Sequence, residues 1–150
     1  DFLEKNTEVF DTSLELASAN NSQLIIFSAI QEPTSKTIDL PIYSEMAGYG
    51  AIYSPEMVEL EEKLIQENLE ELQTWLHKLA KQANQQGIKT EVDYSYGDPS
   101  KQICALAKKW GVNLIVMGRR GRNRLTELFL GSVSNYVIHH AYCSILVVQH

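Results

Sequence analysis

Glycine and arginine crowd one short segment of this chain, residues 118–133, with the sequence GRRGRNRLTELFLGSV. Two residues separate Gly118 from Gly121, and Gly131-Ser132 follows after nine more. Glycine takes positive φ at little cost and lets a ligand come close to the main chain, so successive N–H groups here can form an anion-binding nest. The spacing therefore predicts a phosphate-binding loop.

The loop is also basic, although the chain as a whole carries a formal net charge of -6. Four of its six residues from 119 to 124 are arginines, namely Arg119, Arg120, Arg122 and Arg124. A local reversal of charge in an acidic protein favours an anionic partner. A solvated basic loop with turn glycines is the alternative, and two glycines alone would favour it. The later Gly-Ser pair favours the ligand.

Two elements must position this loop. Residues 113–117, NLIVM, form a continuous apolar run that is typical of a parallel strand buried on both faces. Residues 133–140 are predicted to form a helix, so that Gly131 and Ser132 stand where it begins. The unpaired N–H groups and the positive dipole end of a helix attract an anion. This order of elements puts backbone amides at the carboxyl end of a sheet, where open α/β folds bind ligands.

The rest of the chain alternates between helical and strand patterns. Further helices are predicted up to Ala19, over 56–86 and over 100–110, and further strands over 23–30, 88–96 and 143–149. On the helix over 100–110 we expect Trp110 to be buried. Alternation of this kind predicts an α/β fold with a parallel sheet and helices on both faces.

Length and composition predict one domain over residues 1–150, since 44% of the 150 residues are hydrophobic. The span 33–55 is different, because Pro33, Pro41 and Pro55 interrupt any periodicity over an unusually long loop. Its tyrosines could cover a bound base as a lid. Contact with a partner or simple mobility explains the span equally well.

Charge and hydropathy exclude several classes of partner. A net acidic protein is repelled by nucleic acid and by anionic membranes, so we expect neither as a partner. The chain has no apolar run long enough to cross a membrane and no charged-then-apolar leader, which predicts a cytoplasmic protein. Cys104 and Cys143 are too few for a disulfide framework, and we expect reduced, packed thiols.

The spacing Gly118-x-x-Gly121, nine residues, then Gly131-Ser132 resembles the ATP-binding signature of the universal stress protein family. Residues 114–118 and 143–148 are similar to the fourth and fifth strands of that family. The motif is neither a Walker A loop nor a dinucleotide-binding Gly-x-Gly-x-x-Gly fingerprint. The resemblance implies an open, Rossmann-like sheet of five parallel strands in the order 3-2-1-4-5.

The same resemblance implies how ATP would be held. Asp1 and Ala29 would contact the ribose and the adenine, and Met117 and Gly118 would lie beside the ribose. The phosphates would lie against the glycine loop and the helix start, at Arg119, Arg120, Gly121, Arg122, Gly131, Ser132, Val133 and Ser134. A divalent ion, Mg²⁺ or Mn²⁺, would bridge the phosphates without ligands from the protein. Ser-His is usual in the family where Arg119-Arg120 stands, so the contacts implied there are those of the backbone.

Two further expectations concern the ends of the chain. Asp1 resembles the acidic residue that ends the family's first, central strand, so we expect this sequence to be a fragment of a longer one. In the family the last strand forms the dimer interface, and the matching residues are Ser144 to Val148. The resemblance thus implies a homodimer.

These observations favour an ATP-binding regulatory switch over an enzyme. The sequence has no Ser-His-Asp order, no paired carboxylates next to the glycine loop and no evident base for a water molecule. The sequence does not exclude slow hydrolysis of ATP. Two alternative functions are also compatible with it: a nucleotide-hydrolysing or phosphoryl-transfer enzyme that uses the same site, and a nucleotide-free dimeric scaffold.

Overall fold

A computed structural model of the chain describes residues 7–30, 55–119 and 130–149. The chain divides into two units, one made of residues 1–31 and 76–150 and the other of residues 32–75. The predicted loop over 33–55 falls almost wholly outside the described residues, so the lid stays a prediction.

Helices and strands alternate along the described chain, as predicted. The elements are α1 (Thr7–Ala19), β1 (Leu24–Ile30), α2 (Pro55–Gln85), β2 (Thr90–Tyr96), α3 (Pro99–Trp110), β3 (Leu114–Gly118), α4 (Ser132–His140) and β4 (Ser144–Val148). Each differs from its predicted bounds by only a few residues. The α/β class of the fold is therefore confirmed.

Helix α1 ends because the chain turns into the left-handed region at Asn21, which has φ 50°. Asparagine tolerates this conformation better than most residues and often stands just after a helix. The turn is closed by Ser22, whose N–H donates to the carbonyl of Ala17 at 2.9 Å. The chain thereby leaves α1 in the direction of β1.

The core of the larger unit lies where α1 meets the end of α2. Leu14 and Ala17 of α1 pack with Ala83 of α2 and with Ile88, and Phe10 and Leu24 lie against this cluster. Leu76 of α2 is buried as well, with 1% of its surface exposed. Burial of such a side chain stabilises the fold by about 1.5–3 kcal/mol.

In the smaller unit, the described residues are the first part of α2, up to Trp75. Lys63 and Glu67 form an ion pair on the surface of this helix, with their Nζ and Oε1 atoms 3.8 Å apart. Gln66 donates to the Glu70 carboxylate at 2.8 Å. Both are contacts between residues four apart, which contribute only tenths of a kcal/mol each at an exposed helix face.

The strands form two parallel pairs. Strand β1 pairs with β2 from Leu24 opposite Thr90 to Ile30 opposite Tyr96. Strand β3 pairs with β4 from Leu114 opposite Ser144 to Gly118 opposite Val148. In the predicted order 3-2-1-4-5 these are the neighbours 3-2 and 4-5. The two pairs are separate sheets over the described residues, so the full five-strand order stays a prediction.

The predicted burial of the 113–117 strand on both faces is wrong. Most residues of β3 are half-buried and Leu114 is 40% exposed. The cause is that β3 is paired on one edge only within the described part of the chain, so one side of the strand lacks a neighbouring backbone. Helix α1 contacts β1, β3 and β4, and it therefore touches both sheets.

Trp110 is also not buried, contrary to the prediction. It is the last residue of α3 and is 41% exposed. The Nζ atom of Lys109 lies 5.9 Å from the centre of its ring, a distance that suits a cation–π contact. The apolar face of α3 is instead buried at Ala107.

Candidate nucleotide-binding site

The proposed site begins at the end of β3, where the apolar strand gives way to the basic loop. Met117 and Gly118 are its last two residues, and both are half-buried. The pairing of β3 with β4 extends one residue beyond β3, because the N–H of Arg119 donates to the carbonyl of Val148 at 2.9 Å. The loop therefore departs from a fixed point beside the end of β4.

Several of the predicted site residues lie outside the described residues. These are Asp1, Arg120, Gly121 and Arg122, together with the fourth loop arginine, Arg124. Their contacts with a nucleotide stay predictions. The chain is described again from Leu130 onward, immediately before the second part of the glycine motif.

The two ends of the loop meet at the carbonyl of Arg119. Gly131 donates its N–H to this oxygen at 3.0 Å. The hydroxyl of Ser134 lies 3.1 Å from the same oxygen and 3.0 Å from the carbonyl oxygen of Gly118. Ser134 is 3% exposed, so these contacts are made away from solvent. The glycine motif is thus drawn together by backbone geometry although its halves are far apart in sequence.

Helix α4 begins directly beside this junction. Gly131 is its N-cap residue, with φ -60° and ψ 154°, and no side chain caps the helix. The first intrahelical bond runs from the N–H of Asn135 to the carbonyl of Gly131 at 2.9 Å. The preceding N–H groups, of Ser132, Val133 and Ser134, have no partner within the described ranges. Unpaired amides at a helix start are suited to bind an anion.

The positive φ expected of the loop glycines is not found at Gly118, whereas Gly131 stands at a helix start as expected. Positive φ among the described glycines occurs at Gly87, Gly97 and Gly111, not at Gly118 or Gly131. Gly118 ends a strand and Gly131 is extended, so neither position needs glycine for its backbone conformation. What remains is the absence of a side chain beside the open amides, which leaves room for a ligand to approach.

Ala29, the predicted adenine contact, lies next to the end of β1. It stands opposite Ser95 in the register with β2 and is half-buried. Met117 and Gly118 hold the corresponding place at the carboxyl end of β3. The structure thus places these three residues at strand ends within the larger unit, which is where ligands bind in open α/β folds.

Asp98 is the N-cap of α3. Its carboxylate accepts hydrogen bonds from the N–H groups of Ser100 at 2.9 Å and Lys101 at 3.2 Å, and from the Ser100 hydroxyl. The hydroxyl bond, followed by the Lys101 amide, holds the pKa of Asp98 below its ordinary value of 3.8. The signal for this cap was present, because Asp followed by Pro at the first helical position is a typical helix start.

The two cysteines are half-buried free thiols, as expected. Burial, with a smaller effect of the neighbouring Cys143, raises the pKa of the Cys104 thiol. A raised pKa lowers the fraction of reactive thiolate. Over the described parts of the chain, no group of three or more His, Cys, Asp or Glu side chains is arranged to hold a metal ion.

The chain belongs to the universal stress protein family, whose family model matches residues 1–149. Universal stress protein Sll1388 from Synechocystis is 40% identical over 147 residues, which cover 95% of this chain and 89% of that protein. The prediction of this family from the glycine motif is confirmed. In the described ranges, none of the helices is both long and apolar enough to cross a membrane.

Solved structures share the fold. The structure of MJ0577, a universal stress protein of Methanocaldococcus jannaschii, has a TM-score of 0.73 at 24% identity, and the match covers all of this chain and 91% of that one. A universal stress protein in complex with cAMP matches with a TM-score of 0.57 at 18% identity, over 99% of this chain and 91% of the other. One from Archaeoglobus fulgidus in complex with dAMP matches with a TM-score of 0.58 at 16% identity, over 96% and 87%.

Proposed function

We propose that this protein binds ATP and acts as a nucleotide-dependent regulatory switch. The observation that carries the proposal is the open start of α4, where three successive amides lack partners within the described residues beside the end of β3. Such amides bind phosphate through hydrogen bonds and through the helix dipole. The family relationship supports an adenine nucleotide, since two universal stress proteins of the same fold are seen with cAMP and dAMP.

Each part of the nucleotide has an assigned place. The triphosphate would lie on the amides of Gly121, Ser132, Val133 and Ser134, with Gly131 leaving space for it. Met117 and Gly118 would flank the ribose together with Asp1, and the backbone at Ala29 would contact the adenine. Mg²⁺ or Mn²⁺ would bridge the phosphates and supply positive charge to them.

The loop arginines would add to the affinity. Arg119, Arg120 and Arg122 would place cations beside the expected phosphates, and each well-placed cation contributes about 1 kcal/mol, less at an exposed position or in salt. A binding constant that falls as salt is added is therefore expected. The chemistry proposed is binding rather than turnover, because the sequence has no paired carboxylates next to the glycine loop and no evident base for a water molecule.

The active form proposed is a cytoplasmic homodimer. Strand β4 pairs with β3 along one edge, and over the described residues its other edge has no partner strand. Residues 145–148 are apolar, and an apolar strand edge favours pairing with a second copy. Sedimentation should give twice the monomer mass of 17.0 kDa, and a Val147→Lys variant should shift it toward the monomer.

The proposal is tested by titration calorimetry with ATP and Mg²⁺ on the wild type and two variants at one glycine. We expect one nucleotide per subunit for the wild type. Gly121→Ala should weaken binding, and Gly121→Val should abolish it, because the larger side chain blocks approach to the main chain. Circular dichroism should show the same helix content in all three proteins. Equal binding by the three would refute the site.

The same samples separate the switch from the enzyme and the scaffold. Phosphate or AMP released well in excess of the protein would identify an enzyme. One retained nucleotide per subunit without turnover would support the switch. If no adenine nucleotide gave a heat of binding, the result would favour the nucleotide-free dimeric scaffold.

A further inference from the structure

We infer that Ser134 is a positioning residue for the nucleotide site, and that its side chain acts on the protein backbone rather than on the phosphates. The inference rests on the proposed function for its ligand, but its geometry is independent of any ligand. It concerns how the open amides of α4 are aimed.

The hydroxyl of Ser134 is committed to the end of β3. Its Oγ atom lies 3.0 Å from the Gly118 carbonyl oxygen and 3.1 Å from the Arg119 carbonyl oxygen. A hydroxyl has a single proton to donate, which here is shared between two acceptors. Ser134 is 3% exposed, so a phosphate that drew its hydroxyl away would break hydrogen bonds that are made away from solvent, which costs free energy.

The bond reaches across the loop from the first turn of the helix. Ser134 is the third residue of α4, and side chains on a helix lean toward its amino end. It therefore meets the strand from which the loop departs, sixteen residues earlier in the chain for Gly118. The Gly131 amide makes a second bond to the same Arg119 carbonyl, at 3.0 Å. Together the two bonds fix the angle at which α4 starts.

The junction also extends to the edge of the sheet. Arg119 accepts from α4 through its carbonyl, and it donates its N–H to the Val148 carbonyl at the end of β4. The backbone of one residue, Arg119, thus connects the helix start with the strand that we propose as the dimer contact. Loss of the Ser134 hydroxyl should loosen the helix start and leave the strand pairing in place.

A matched control exists in the same unit. Ser13 is also a buried helical serine, 8% exposed, and its hydroxyl donates to the Val9 carbonyl at 2.7 Å within α1. Ser13→Ala removes one buried hydroxyl from a helix that carries no proposed nucleotide contact. It therefore measures the general effect of the substitution on stability.

The test compares wild type, Ser134→Ala, Ser134→Cys and Ser13→Ala. We expect Ser134→Ala to lower the affinity for ATP with Mg²⁺ about five-fold, the effect of one hydrogen bond. Ser134→Cys keeps a weak hydrogen-bond donor, so its affinity should lie between those of Ser134→Ala and the wild type. Ser13→Ala should bind ATP with the affinity of the wild type, even if it lowers the thermal midpoint as much as Ser134→Ala does. Wild-type affinity in Ser134→Ala would overturn the inference.

Amide hydrogen exchange without nucleotide makes the result independent of the proposed function. In Ser134→Ala the Gly131 amide should exchange about ten-fold faster than in the wild type, because its bond to Arg119 opens more often. It should be unchanged in Ser13→Ala. Equal exchange at Gly131 in wild type and Ser134→Ala would overturn the positioning role. If ATP fails to bind the wild type while exchange responds as expected, the proposed ligand is wrong and the role of Ser134 in fixing the helix start stands.

Discussion

The amino ends of α3 and α4 are built in opposite ways. Both helices follow a strand of the same unit, and they pack against each other. Asp98 closes the start of α3 with its own carboxylate, which accepts bonds from Ser100 and Lys101. At the start of α4 the equivalent residue is Gly131, which has no side chain with which to cap.

The difference separates an end that serves the fold from one that is available to a ligand. A carboxylate at the N-cap satisfies the amides internally and places a negative charge where a phosphate would otherwise bind. Without that carboxylate, the amides of α4 stay open and the local charge stays favourable to anions. Gly131 therefore matters because it has no side chain that could cap these amides.

The largest expected effect comes from giving α4 the cap of α3. Gly131 has φ -60° and ψ 154°, a conformation that aspartate adopts readily at an N-cap. Gly131→Asp should occupy the open amides and repel phosphate, and we expect it to lower ATP affinity about 100-fold, since unfavourable like charges cost several kcal/mol. The thermal midpoint should rise. Titration calorimetry and thermal unfolding measure the two effects.

The control for this exchange is Gly131→Asn, which caps the helix without a charge. It should stabilise the fold similarly and weaken ATP binding less than the aspartate does. An aspartate variant that keeps wild-type affinity would show that the phosphates do not lie at this helix start.

The carboxyl ends of the two helices differ as well, and they yield a smaller effect. Gly111 caps α3 in the left-handed conformation, at φ 62° and ψ 38°, whereas Ala141 follows α4 in an extended one. A Cβ atom at Gly111 would meet nothing within 4 Å, so only the backbone conformation opposes it. Gly111→Ala should lower the free energy of unfolding by about 1 kcal/mol.

Urea unfolding measures this loss, and the ATP affinity of the variant should equal that of the wild type. Ala141→Gly is the matched control at the other helix, where the extended backbone gives glycine no advantage. If Gly111→Ala were as stable as the wild type, the left-handed cap would not constrain the fold.

The smallest effect is the dependence of the α3 cap on pH. The folded state holds the pKa of Asp98 below 3.8, so the carboxylate contributes stability above its ordinary pKa. That contribution is lost as the pH falls through the lowered value. Asp98→Asn retains a cap without this titration, so the stability advantage of the wild type over the variant should shrink as the pH falls below about 4.

Urea midpoints of the two proteins between neutral and acidic pH measure this change. ATP affinity at neutral pH should be the same in both, because α3 carries no proposed phosphate contact. A constant difference in stability across the pH range would exclude the Asp98 carboxylate as its cause.

Much of the fold was accessible from local pattern. Helix α2 was predicted over 56–86 from the spacing of its apolar residues and is found at Pro55–Gln85. The burial of individual residues was less accessible, because it depends on what packs against them. Trp110 has the size of a core residue, but it ends its helix and is exposed. The apolar run of β3 read as fully buried, although β3 has a partner on one edge only among the described residues.

The site divides in the same way. The glycine spacing identified the family and the segment, because residue types that leave the main chain open are visible in a sequence. The role of the Ser134 hydroxyl was not visible. Ser134 was assigned to the phosphates as part of the motif, and only its contacts show the side chain turned toward Gly118 and Arg119.

The amino-acid sequence by itself determined the alternation of helices and strands, the position of the open loop and the family, since each depends on the types and spacing of neighbouring residues. Only the tertiary structure decided that Arg119, Gly131 and Ser134 meet at one carbonyl oxygen. Contacts between residues distant in sequence form when packing brings their backbones together, and no local pattern records that approach. The direction in which the α4 amides point is therefore a property of the fold.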